Sequence, residues 1–541
     1  MNRYYNILIL FTLVNGIIHT KPTHRHKLEK EYKKHLSELK KKQKSKTAYQ
    51  PAATSLKNIK QKKNFTIGPS FGLPQTQYHT AATCYNPNNI RALLHTEAKK
   101  QKKPYQWLCK QRWYVISSLP DMTCHSCKKK VNFLNCKDLP KSAQDNLLLN
   151  VTSNLFNPDL HEITITECPY CQSNNIKTSK HQYKELNKHR KNAINKQLKH
   201  LLIDKQHTSD KTPVSRVSVE IADLLHPGTD HINQAKLKEL ASFIKECGNP
   251  ILFIHHSTNP ASKTYLFDHP DDAEWFANIS AQIAEACTTV THVCPMNQPL
   301  AVALRVPRGH QPPFKSSLHH KEFVNAVEKA HLLAAQAVKR VRPDIKVLIS
   351  HQWKLFYPQH SGKNWQYIIE KLGCKIAHRI YNKRFIQMCN KHKDVIDGIA
   401  LSTYPRIYCN KATVVGDNCT GILDPESVLY SLYNVHKSFP DKDIYLVETG
   451  CNTTNQEVKK AFIDMTLHVC NIAHDMNIPI KTCLFWGLND DPYFYREWNK
   501  APGSTHFGFY KDLNIKNPTL SITPYGAYLR ETIQKAYSHK K

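Results

Sequence analysis

From residue 215 onward, apolar and polar positions settle into two alternating textures. Short β-rich runs appear as RVSVEI (216–221), ILFIHH (251–256), VTHVCPMN (290–297), IKVLIS (345–350), IDGIALST (396–403), DIYLVE (443–448) and TCLFWG (482–487). Between them lie stretches with apolar residues at helical spacing, such as NQAKLKELASFIKEC (233–247), HKEFVNAVEKAHLLAAQAVKRV (320–341) and NQEVKKAFIDMTLHVCNIAHDM (455–476). Apolar runs alternating with period-3.6 stretches predict βα units and a parallel sheet. An eighth strand, NFTIGPSF (64–71), stands far upstream. Eight such units predict an α/β protein of the (β/α)8 TIM barrel class, spanning 64–541, with its chemistry at the C-terminal ends of the strands.

The interval between the first strand and the rest breaks this pattern. It holds TCHSC, with Cys124 and Cys127, and ECPYC, with Cys168 and Cys171. Each CxxC places two thiols on one tight turn, which suits a tetrahedral zinc ion; disulfides are the alternative. A small inserted module at 100–180 is expected. Cys409 and Cys419 flank one loop and are candidates for a local disulfide. The count of 17 cysteines is odd, so at least one thiol has no partner within the chain.

The amino-terminal residues have one early positive charge, Arg3, and an apolar core from Ile7 to Val14. That core is too short to span a bilayer and fits a signal peptide at 1–20, implying a secreted or periplasmic protein, or an anchored one if the signal is kept. Residues 21–63 form a Lys-rich polar arm with few core-forming residues. Overall, 76 Lys+Arg against 43 Asp+Glu give a formal net charge of +33. The basic stretches lack the Arg and aromatic interleaving of a nucleic-acid surface, so no specific nucleic-acid binding is expected. The arm's expected reach is weak attraction to anionic surfaces. Nothing in the pattern fixes an oligomeric state.

Polar residues close the apolar runs: Arg216, His256, Asn297, Gln298, Tyr404, Glu448 and Trp486. Each stands at the end of a strand or just beyond, where a barrel builds its site. In these phrases the chain resembles glycoside hydrolase family 1, the β-glucosidase-like barrels of clan A. MNQP (296–299) is similar to the family's Asn-Glu-Pro, and IYLVETG (444–450) to its Ile-Tyr-Val-Thr-Glu-Asn-Gly. RVSV (216–219) resembles Arg-Phe-Ser-Ile, HHSTNP (255–260) the third-strand phrase, and DGIALSTY (397–404) the sixth, with Ser402 in place of an Asn.

The resemblance implies roles residue by residue. Glu448 would be the nucleophile, with Arg216 and Tyr404 in contact with it. Gln75 in GPSFGLPQ, His256, Asn297 and Trp486 in FWGLNDD would bind the sugar. The family's following Glu-Trp pair is either replaced by Tyr493-Phe494 or displaced to Glu497-Trp498, and the second fits the spacing to HFGFYKD (506–512). A small saccharide or glycoside is the implied ligand, and the chemistry is expected to need no catalytic cofactor. The cysteine module and the basic arm have no counterpart in the family.

One departure bears on mechanism. Retaining glycosidases use two carboxyl groups about 5–5.5 Å apart, one as nucleophile and one as general acid and then base. Gln298 stands in the second position, and an amide neither gives nor takes a proton at neutral pH. General acid–base help is worth roughly 10²–10⁴ in rate. Within the family, myrosinases carry Gln at this place, cleave thioglucosides with good leaving groups and borrow an external base. His292 lies on the same strand but is expected to face away. Three readings follow: an altered β-glycosidase, a carbohydrate-binding pseudoenzyme, or a surface protein working through its arm and cysteine module.

Overall fold

In a computed structural model of the chain, the residues described are 65–72, 121–131, 168, 171, 173–179, 194–202, 213–219, 221–224, 231–255, 272–300, 320–360, 365–404, 407–410, 413–415, 423–489, 506–510 and 521–538. The expected signal (1–20) and arm (21–63) lie outside them, as do Gln75, His256, Cys419, Tyr493, Phe494, Glu497 and Trp498. Among the described residues no helix is long and apolar enough to cross a membrane.

Eight parallel strands close a barrel. In order around it they are β1 (Thr66–Gly72), β5 (Ser215–Ser218), β6 (Pro250–His255), β7 (His292–Met296), β8 (Lys346–Trp353), β10 (Gly398–Thr403), β13 (Asp443–Thr449) and β14 (Ile480–Trp486). Closure runs through β1, which pairs with β14 on one side and β5 on the other. The strands are those the pattern predicts, including the distant first one. Helices follow them in turn: residues 194–202, α1 (Gln234–Glu246), α2 (Asp272–Ala286), α3 (His320–Val341), α4 (Trp365–His378), α5 (Arg384–Lys391), α6 (Pro425–Ser438), α7 (Gln456–Asp475) and α8 (Pro524–Ser538).

Local sequence sets these elements. The strands bury both faces, so they read as continuous apolar runs rather than alternations; PILFIH in β6 is buried throughout. Asn233 and Asn455 cap α1 and α7, each side chain accepting two backbone N–H bonds of the first turn. In α1 the buried residues Leu237, Leu240, Phe243 and Ile244 share one face, the spacing of an amphipathic helix. Ile251, Phe253, Cys294, Leu348, Ala400, Tyr445, Val447 and Leu484 fill the barrel's interior.

Two small sheets accompany the barrel. One joins β9 (Phe356–Pro358), β11 (Ile407–Asn410) and β12 (Thr413–Val415) beyond the ends of β8 and β10. The other joins β2 (Asp121–Cys124), β3 (Lys130–Val131) and β4 (Ile176–Ser179), all antiparallel, and carries the two CxxC turns.

Candidate active site

Glu448 stands near the end of β13, 7% exposed. Simple alternation would not bring it inside, because Tyr445 and Val447 already face the barrel interior. A bulge does so. Leu401 pairs with Leu446, but the next residue, Ser402, pairs with Glu448, and a matching shift separates β13 from β14. The extra residue re-aims the chain, as bulges beside active sites commonly do.

Three donors meet its carboxylate. Arg216 Nη1, from β5, donates to Oε2 at 2.6 Å and to Ser70 Oγ of β1 at 3.1 Å. The Tyr404 hydroxyl donates to Oε1 at 2.6 Å. Gln298 Nε2 donates to the same oxygen at 3.4 Å, near the long limit of a hydrogen bond. Arg216 is fully buried, its guanidinium 4.0 Å from the centre of the Phe253 ring and 5.2 Å from that of Trp486. Stacking of this kind suits guanidinium better than ammonium, so Lys would not replace it.

Gln298 follows β7 with φ of 45°, a left-handed backbone that a non-glycine residue adopts at a cost. Two bonds hold that turn. The Asn297 N–H donates to the His255 carbonyl at 2.9 Å, and the Gln298 N–H donates to Ser350 Oγ at 3.2 Å. Asn297 and Gln298 are both buried. Trp486 packs with Tyr404 and Phe507 in one aromatic cluster beside the carboxylate.

The surroundings are polar and only partly satisfied. Gln352 of β8 pairs in register with Ser402, and Ser402 with Glu448, placing the three side by side at one level. Gln352 Oε1, Ser402 Oγ, Asn297 Oδ1 and Arg216 Nε and Nη2 are buried without a hydrogen-bond partner among the described residues. Buried polar atoms left open in this way suit a ligand rich in hydroxyl groups.

Arg216, Asn297, Gln298, Tyr404, Glu448 and Trp486 therefore gather at one end of the barrel. His255, beside the expected His256, faces Phe276 of α2 at 6.1 Å between ring centres, and burial holds it at about 3, hence neutral. His292 lies inside the barrel rather than outside, toward the N-terminal end, where its Nε2 meets the Tyr445 hydroxyl at 2.9 Å. Ser70, Ser350 and Gln352 complete the site without having been marked in the sequence. Ser350 and Gln352 do fall at a strand end, the one signal that could have found them.

Elsewhere, the Sγ atoms of Cys124, Cys127, Cys168 and Cys171 all lie within 4.8 Å of one another.

No protein-family model matches the chain, and no curated protein does. Solved structures do. The chain is similar to the β-glucosidase from Thermotoga maritima in complex with glucoimidazole: 16% identity, 65% of this chain and 88% of that one covered, TM-score 0.51. It is likewise similar to the β-glycosidase from Pyrococcus horikoshii, at 15% identity with 65% and 85% covered and a TM-score of 0.52. The same Thermotoga enzyme, described as a family 1 β-glucosidase, also matches in complex with deoxynojirimycin. At these identities the likeness is one of fold: the chain has the barrel of the family 1 β-glucosidases.

Proposed function

We propose that this barrel is a retaining β-glycosidase for a small saccharide or glycoside, with Glu448 as its nucleophile and a changed acid/base position. The observation that carries this reading is the clamp on Glu448: a buried carboxylate at a strand end, with Arg216 on one oxygen and Tyr404 on the other. Such donors orient the attacking group and meet the charge that shifts during glycosyl transfer. The fold supports the substrate class, since the Thermotoga barrel takes glucoimidazole. Open polar atoms on Asn297, Gln352 and Ser402 fit sugar hydroxyls, and Trp486 offers an apolar face for the ring.

In the first step Glu448 attacks the anomeric carbon, forming a C–O bond to the enzyme as the bond to the leaving group breaks. The leaving group departs with the electron pair. Gln298 has no proton to give it, so only groups stable as anions leave readily. In the second step an external nucleophile opens the glycosyl-enzyme. Water is slow here, because no carboxylate at 298 removes its proton.

This predicts a particular kinetic signature. Dinitrophenyl glycosides should turn over, while glycosides of simple alcohols should not. Azide, which needs no base, should accelerate turnover and yield a β-glycosyl azide. Glu448→Gln should abolish both. Turnover of alkyl glycosides as fast as dinitrophenyl ones, with no response to azide, would refute the changed acid/base position.

A further inference from the structure

We propose that Cys124, Cys127, Cys168 and Cys171 bind a structural zinc ion that holds the β2–β3–β4 sheet together. The inference is independent of the glycosidase reading. All four sulfurs converge within 4.8 Å, with Cys124 and Cys171 3.6 Å apart and Cys127 and Cys168 also 3.6 Å apart. Four thiolates about 2.3 Å from a tetrahedral zinc ion lie ~3.8 Å from one another. Two separate disulfides require no such four-way meeting, since each bond is ~2.05 Å and independent of the other.

The turns around the sulfurs are built for a charged centre. The Cys127 N–H donates to Cys124 Sγ at 3.4 Å, and Lys128, just after, has φ of 60°, so the first turn closes tightly. A bond between the Ser126 and Ser173 hydroxyls at 2.7 Å and one from His125 N–H to the Asn175 carbonyl at 2.8 Å tie the two turns together. Four thiolates and Zn²⁺ carry a net charge of −2, and exposed Lys128, Lys129 and Lys177 stand nearby to offset it.

Among the described residues the sheet has little else to hold it together. Its strands have 4, 2 and 4 residues, too short to build a core. All four coordination positions are filled by protein sulfur, which leaves none open for substrate, so the ion's role is structural. Soft thiolates select zinc or iron. Redox-inert zinc suits a site in which Cys171 is exposed. As each Zn–S bond forms, the thiol releases its proton to solvent, so binding weakens in acid.

The test is metal analysis of the full-length chain purified without chelators, by inductively coupled plasma mass spectrometry. One zinc per chain is expected. A mercurial reagent should release it by capping the four sulfurs, and stripping the ion with a chelator instead should leave the four cysteines free to alkylate at least tenfold faster. Replacing the ion with Co²⁺ should give the thiolate-to-cobalt charge-transfer absorption of a sulfur-ligated tetrahedral site. Cys124→Ser and Cys168→Ser should each lose the metal; should they fail to fold, the wild-type metal content still decides. A metal-free chain, whether its cysteines alkylate freely or only after reduction, would overturn the proposal, and so would bound iron.

Discussion

At Gln298 the chain accepts a left-handed backbone whose cost is about 1–3 kcal/mol, and two buried hydrogen bonds keep it there. Strain held this firmly points to a side chain that must be presented in one direction, here toward Glu448. The substitution Gln298→Glu tests what the amide withholds. A carboxyl at that position would lie within hydrogen-bonding distance of Glu448, and two carboxyl groups so close retain a proton between them. That is the state a general acid requires. Hydrolysis of glycosides with poor leaving groups should rise by roughly 10²–10⁴, with little change in attack on dinitrophenyl glycosides. No gain on either would mean that the missing carboxyl is not what limits the reaction. At this scale the sequence was informative wherever a polar residue closes an apolar strand, as with Gln298, Tyr404 and Glu448; Arg216 instead opens its run, as the second residue of β5. It was silent on Ser70, because a serine inside a strand reads as any small residue until Arg216 is seen to bond it.

Among the elements, β13 shows why periodicity alone misplaces a site. DIYLVE reads plainly as a strand, yet the bulge that turns Glu448 inward leaves no mark in a pattern of apolar positions. Helix boundaries were more legible. Asn233 and Asn455 announce α1 and α7, since an asparagine side chain readily accepts from the free N–H groups of a first turn. The joint between β1 and β5 was not legible at all. A Cβ on Gly68 would lie 1.8 Å from the Val214 carbonyl oxygen, a clash with backbone that cannot swing away. Gly68→Ala should therefore destabilise by about 3 kcal/mol or more, the upper range for overpacking. Asn455→Ala, which removes a cap at the surface, should cost only about 1 kcal/mol. Urea unfolding of the two variants checks the contrast, and equal losses would mean that the strand joint relaxes freely.

Over the whole molecule, the eightfold alternation was enough to predict a barrel, because a parallel sheet with helices between its strands has few other closed solutions. The sequence did not show that the barrel buries a set of neutral histidines. Burial holds His255 and His351 at about 3 and His292 and His331 at about 4, below the ordinary 6.5. In the unfolded chain these rings take up protons near 6.5, so between about 6.5 and 4 the unfolded state binds more protons. Stability is therefore fully present above 6.5 and is lost as pH falls through that window, by up to about 1.4 kcal/mol per pH unit for each ring. The urea midpoint should drop between pH 7.5 and pH 5, and an unchanged or rising midpoint would contradict the burial of these rings as neutral groups.

The claim that joins these scales is that the barrel presents Glu448 as a glycosyl acceptor. A 2-deoxy-2-fluoro glycoside with a dinitrophenyl leaving group tests it most directly, because such a substrate needs no acid and its enzyme adduct decays slowly. Intact mass should increase by one fluoroglycosyl group, peptide mapping should place the group on Glu448, and Glu448→Gln should show no increase. A folded chain that gains no mass with any of several sugars, or gains it elsewhere, would contradict the account and favour a carbohydrate-binding barrel without turnover.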